Sequence, residues 1–151
     1  SKYNLRRKIA LYGMVRAHRG TDFAAPVGSQ IMSTADGTVI ESAHKGGNGN
    51  YVKIRHNATY TTAYLHMSKR LVRVGERVRQ GQVIGLVGMT GNTSGPHVCY
   101  RFARNGKEVD PLREKMPASD PINKKHKEQY LTYIKSVKAS LYAIPFKQSK
   151  S

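Results

Sequence analysis

Tyr51-Val52-Lys53-Ile54-Arg55-His56 and, three residues later, Tyr60-Thr61-Thr62-Ala63-Tyr64-Leu65 form the stretch whose reading decides the fold. In the first run Val52 and Ile54 alternate with Lys53 and Arg55, the period of two that a half-buried strand requires. The second is dense in Thr and Tyr, residues that suit a pleated surface. Working outward, Ile31-Met32-Ser33 leads into Ala35-Asp36-Gly37 and then Thr38-Val39-Ile40-Glu41-Ser42-Ala43. The Asp-Gly pair there supports a hairpin-type reversal. Gly46-Gly47-Asn48-Gly49-Asn50 reads as a flexible turn before Tyr51. Downstream, Val72-Arg73-Val74, Gln82-Val83-Ile84-Gly85-Leu86-Val87 and Val98 to Phe102 are expected strands. Short strands at regular spacing, with no helix between them, indicate an all-β sandwich or barrel-like domain.

The flanks read differently. Residues 1–17 are basic and mixed and are expected to be a connector. From Lys124 to Tyr142, Tyr130, Tyr133, Ile134, Val137 and Leu141 recur at spacings of three and four, which predicts a helix. No repeat of 20–50 residues and no low-complexity segment occurs.

A chain of 151 residues supports one domain with a short appendage. Fourteen glycines and no tryptophan suit a turn-rich β protein. No apolar run approaches the roughly 18 residues of a membrane span. The opening Ser1-Lys2-Tyr3-Asn4-Leu5 reads as mid-chain sequence, so an export signal is expected upstream. The 26 basic and 9 acidic side chains give +17. Residues 124–151 hold seven Lys and one Glu, or +6, which leaves +11 for the rest. Such a surface attracts polyanions: nucleic acid, anionic lipid or anionic wall polymer. Cys99 is the single cysteine, so an internal disulfide is excluded and the thiol needs its own explanation.

Three clusters carry potential chemistry: His18-Arg19-Gly20-Thr21-Asp22, Tyr64-Leu65-His66 and Gly95-Pro96-His97-Val98-Cys99. Imidazole, carboxylate and thiolate are all zinc donors, and a catalytic zinc keeps three protein ligands and an open position. On a strand, alternation places His97 and Cys99 on one face, about 7 Å apart. His66 on a neighbouring strand would bring a second imidazole for acid–base work and oxyanion stabilisation. His44, His56 and His126 match no such role and read as structural or surface residues. Tyr12, Asn50 and Tyr64 could line a groove.

In order and near-family spacing, several segments resemble peptidase family M23, the lysostaphin/LytM-type zinc endopeptidases of peptidoglycan. They are His18-Arg19-Gly20-Thr21-Asp22-Phe23, Gly49-Asn50-Tyr51-Val52, Tyr64-Leu65-His66-Met67, Val74-Gly75-Glu76 and Gly88 to His97. The likeness spans residues 18 to about 112. It implies an antiparallel β-sandwich of the LytM or duplicated hybrid-motif type with a C-terminal helix, its metal site in an open groove across one sheet. It also implies residues 18–122 as the peptidase domain, 1–17 as a basic connector and 123–151 as a basic helical tail.

By the resemblance, His18 and Asp22 bind Zn2+ and His66 and His97 are catalytic, flanking the attacking water. The family's third ligand is a second His, and Cys99 stands at that position. A thiolate there lowers the formal charge of the site by one unit, to neutral, which should make bound water less acidic.

The implied function is zinc metalloendopeptidase action on stem or cross-link peptides of peptidoglycan, in the cell envelope, periplasmic or extracellular. The motifs favour a D-Ala–diaminopimelate cross-link. The alternative is a catalytically inactive LytM-type domain that binds the wall or activates another wall hydrolase. Nucleic acid is not an expected partner, because aromatic-interleaved basic motifs are missing. No membrane span is expected in this fragment, and the sequence leaves the oligomeric state open.

Overall fold

The structure, a computed structural model, describes residues 1–9, 14–115 and 124–142. These fall into two units, one within Ser1–Glu114 and one within Lys115–Ser151. Tyr12 lies outside the described residues, as do the side chains of His126, Tyr130 and Leu141.

In the first unit, β1 (Asn4–Ile9) and β2 (Met14–His18) pair as a two-stranded antiparallel sheet. The segment expected as a connector is therefore a ribbon. Arg7 pairs with Arg16 and Lys8 with Val15, so basic residues occupy the positions where apolar alternation would have announced strands. Then follow β3 (Thr21–Ala24), β4 (Gln30–Met32), β5 (Gly37–Lys45), a single 3₁₀ turn at Gly46–Asn48, β6 (Gly49–Arg55) and β7 (Tyr60–Arg70). The unit is completed by β8 (Arg77–Val78), β9 (Val83–Val87), β10 (His97–Arg104) and β11 (Lys107–Val109).

Strands run in the order β11-β10-β7-β6-β5-β8, with β3 also on β10 and β9 joining β7 to β4. Every pairing is antiparallel. Strand β7 is shared: Tyr60–Leu65 pairs with β10, while Met67–Arg70 pairs with β9. Alternation then sorts the two faces. Val52, Ile54, Tyr64 and Met67 point inward and meet Ile31, Val39, Val78, Ile84 and Val87, which come from β4, β5, β8 and β9. Val52, Ile54, Met67 and Ile84 are fully buried, each contributing about 1.5–3 kcal/mol. On the opposite face Tyr51, Leu65 and Cys99 form a smaller cluster with Ala43 and Ala63. That second face carries the site.

Val72-Arg73-Val74 is not a strand. Val72 is buried in the core, but a turn closes after it: the Glu76 amide donates to the Arg73 carbonyl, and Gly75 takes φ +92°. Two valines around a basic residue imitate a strand's alternation without a partner strand to pair with. The second unit contains the helix α1, Lys124–Tyr142, over the residues the periodicity predicts.

Candidate metal centre

His18 ends β2, and the Arg19-Gly20 corner turns the chain into β3. The β3–β10 register sets Asp22 directly opposite Cys99. Gly20 makes that approach possible: a Cβ there would sit 2.7 Å from Cys99 Sγ and 2.9 Å from the Tyr100 carbonyl oxygen. His18 Nε2 lies 2.9 Å from Asp22 Oδ1 and 3.8 Å from Cys99 Sγ. One donor atom from each of the three residues falls within 4.8 Å of the other two.

Ligand bonds to zinc run about 2.0–2.3 Å, so donors around one ion sit about 3–4 Å apart, and this set needs only a small contraction. The donor types also fit. His18 Nδ1 lies 3.0 Å from the Lys2 carbonyl oxygen. A carbonyl only accepts, so Nδ1 carries the proton and Nε2 presents its lone pair to the site. Burial, reinforced by Asp22 and opposed by Arg101, pushes the Cys99 thiol pKa up to about 12. A metal bound here therefore displaces the thiol proton.

His66 sits where β7 leaves one partner for another. Between Asn50↔Met67 and Val52↔Tyr64, Leu65 and His66 oppose Tyr51 alone, which is a bulge, and His66 adopts φ +65°. Bulges re-aim side chains, and this one turns the His66 ring into the cleft. His66 Nδ1 donates to the Thr90 carbonyl oxygen at 2.8 Å. The Thr90 hydroxyl is tied to the Met67 carbonyl at 2.7 Å, which holds that acceptor in place. His97 Nδ1 lies 2.8 Å from the Gly95 carbonyl oxygen and 3.0 Å from Thr93 Oγ1. Both imidazoles thus keep their proton on Nδ1 and turn Nε2 to the cleft, where that of His97 lies 3.6 Å from Asp22 Oδ1. Burial is the main cause that lowers the His66 pKa, while the Thr90 carbonyl works against it.

All five residues named by the sequence, His18, Asp22, His66, His97 and Cys99, border one cavity of ≈ 280 Å³. Among the described residues, His18, Asp22 and Cys99 are the one set of three His, Cys, Asp or Glu donors close enough to share an ion. A larger cavity, ≈ 630 Å³ between Asp36 and Gln82, lies apart from them. His56 is a structural residue, bonded to the Asp36 carbonyl and the Thr62 hydroxyl. Tyr64 belongs to the core, and Asn50 braces the Met67 carbonyl. Sequence reading missed the carbonyls of Lys2, Thr90 and Gly95, since backbone acceptors leave no residue signature. It also missed Arg101, which flanks Cys99 at alternate spacing on β10.

An antiparallel sheet with three metal donors and two oriented imidazoles in one open cleft has the layout of a metal-dependent peptide hydrolase. Peptidase family M23 matches residues 16–111, and the chain belongs to that family. Peptidoglycan DD-endopeptidase ShyC of Vibrio cholerae is 46% identical over 135 residues, covering 89% of this chain and 31% of that protein. A zinc-containing peptidase structure from Vibrio cholerae superposes with a TM-score of 0.73 at 42% identity, covering 78% of this chain and 36% of that one. The catalytic domain of lysostaphin from Staphylococcus simulans gives 0.67 at 27% identity, over 74% of this chain and 86% of that domain. The chain spans about a third of the length of the curated relatives it matches.

Proposed function

We propose that this chain is a zinc metalloendopeptidase domain that hydrolyses peptidoglycan stem or cross-link peptides in the cell envelope. The reading rests on one observation above all: two imidazoles anchored through Nδ1 share one cleft with a His18–Asp22–Cys99 donor set. The name of ShyC, a DD-endopeptidase, favours a D-Ala–diaminopimelate cross-link as the bond cut.

His18, Asp22 and Cys99 would hold the zinc, which when bound would polarise the scissile carbonyl and lower the pKa of water. His66, kept neutral by burial, accepts a proton at Nε2 while its Nδ1–H stays on the Thr90 carbonyl. The proton taken up at His66 Nε2 is then delivered to the leaving amine, with the His97 ring 4.8 Å away, centroid to centroid, positioned to relay it. Leu65 and Tyr51 form the apolar floor of the groove beside them. Within this reading residues 18–122 carry the peptidase, and the Lys-rich segment 123–151 holds it on anionic wall polymer.

Digestion of purified sacculi followed by mass analysis of muropeptides tests the proposal. Cross-linked dimers should fall as monomers rise. An unchanged pattern with zinc supplied would instead indicate a non-catalytic LytM-type module. High salt should release the domain from sacculi, and binding indifferent to salt would remove the role given to the basic tail.

A further inference from the structure

Four arginines, Arg7, Arg16, Arg19 and Arg101, border the metal cleft, against one carboxylate, Asp22. Asp22 is already committed, as one of the three metal donors and to Arg7 at 3.9 Å. A cleft with this excess of fixed positive charge concentrates anions. The four are not equivalent. Arg16 and Arg19 are exposed, and Arg7 reaches Asp22 and the Ser1 hydroxyl.

Arg101 is half-buried, and its nearest carboxylate, Glu108, stands 4.0 Å away, at the outer edge of an ion pair. Arg104, on the same strand, has a close partner in Glu114 at 2.9 Å. Arg101 Nε is buried and has no hydrogen-bond partner among the described residues. Leaving a buried donor unsatisfied is costly, and such groups in folded proteins call for an explanation. Arg101 also borders a second cavity of ≈ 460 Å³ on the same face, which shares Gly47 and Asn48 with the metal cleft. It therefore stands where one continuous groove passes from the metal donors outward along the sheet. A guanidinium offers a planar fork of donors that matches a carboxylate in two parallel hydrogen bonds.

We propose that Arg101 is a specificity residue that binds a free carboxylate of the substrate peptide, so that the groove selects acidic peptides over their amidated forms. This rests on the peptidase reading of the cleft and names the substrate class it takes. Arg7, Arg16 and Arg19 supply undirected attraction, whereas the exposed end of the Arg101 guanidinium supplies the directed contact.

The test uses two synthetic stem tetrapeptides that differ only in having their carboxylates free or converted to carboxamides. Each is titrated into the zinc-loaded full chain by calorimetry, with the arginine Nε–Hε signals followed by NMR. The free acid should bind roughly ten- to a hundredfold more tightly and shift the Arg101 Nε–Hε signal. Arg101→Gln should cut the preference to the small remainder that undirected attraction leaves. Arg104→Gln, the same charge change outside the groove, should keep it. Equal binding of the two peptides by the parent, or a preference undiminished in Arg101→Gln, overturns the inference. The Arg101 signal in the parent decides the matter even if the variant folds poorly. A preference in binding without any cleavage of sacculi would sink the peptidase reading while leaving this one standing.

Discussion

The rings of His66 and His97 lie 4.8 Å apart, centroid to centroid, at an interplanar angle of 49°. Each is anchored through Nδ1 by a backbone carbonyl, that of Thr90 for one and Gly95 for the other. Two imidazoles brought this close would repel if both were charged. Burial and the neighbouring ring both hold the His66 pKa down, so the pair fits a site that passes one proton at a time. The left-handed backbone at His66 costs of order 1–3 kcal/mol for a residue other than glycine. That conformation fits a residue whose ring must enter the cleft.

Replacing either His66 or His97 with Gln should reduce sacculus cleavage by about two to four orders of magnitude. Zinc content should stay at the parent's level, because neither residue belongs to the donor set. Metal analysis beside the digestion assay separates the two effects, and loss of zinc in either variant would reassign that histidine to the metal.

Cys99→Ser should weaken zinc binding by about a hundredfold or more, beyond what loss of an outer contact to a ligand typically costs. Competition with a chromophoric chelator measures it. A serine variant that held zinc as tightly as the parent would remove Cys99 from the site.

Gly20→Ala tests the corner that lets β3 approach β10. Its Cβ would meet Cys99 Sγ at 2.7 Å, the Tyr100 carbonyl at 2.9 Å and Arg101 Cγ at 3.1 Å. We expect a loss of about 1–3 kcal/mol in unfolding free energy, with weakened zinc binding. Chemical denaturation with m-values unchanged would confirm it, and parent-like stability and affinity would show the corner to be slack.

Stability should vary with pH through Tyr51 and Glu41, which line the outer part of the groove and not the metal cleft itself. The Tyr51 hydroxyl donates to Glu41 Oε2 at 2.5 Å, and Lys53 adds a contact at 3.2 Å. The Tyr51 bond is the main cause that lowers the Glu41 pKa from about 4.5, with Lys53 helping and burial opposing. That stability is present above the usual value and is lost as pH falls through the depressed one. The same bond, then burial, raises the Tyr51 pKa above 10.0, so its share is present below that value and lost as pH rises through the raised one. Tyr51→Phe should flatten both limbs of the melting temperature against pH. Limbs as steep as the parent's would assign them to other groups.

Much of the fold was legible because the core strands alternate cleanly: Val52 and Ile54 inward, Lys53 and Arg55 outward. Helix α1 was legible from its three-and-four spacing. The β1–β2 ribbon was not, because the run Arg6-Arg7-Lys8 and Arg16 leave no apolar period of two to read. Val72 misled for the opposite reason, being a core residue just before a turn.

At the site, residue types in order named His18, Asp22, His66, His97 and Cys99, and the fold gathers them in one cleft. The devices that do the gathering were hidden: the Asp22↔Cys99 register, the bulge at His66 and the carbonyls that fix each tautomer. All are properties of backbone pairing, which a single sequence does not display. Arg101 was overlooked because one arginine among 26 basic residues attracts no notice until its neighbours are known.

The most direct test is the zinc content of the purified chain, measured together with sacculus digestion with and without a chelator. The account predicts one equivalent of zinc, lost on Cys99→Ser, and muropeptide release that stops with chelator and returns with added zinc. A chain that takes up no zinc when it is supplied and leaves sacculi intact would contradict it.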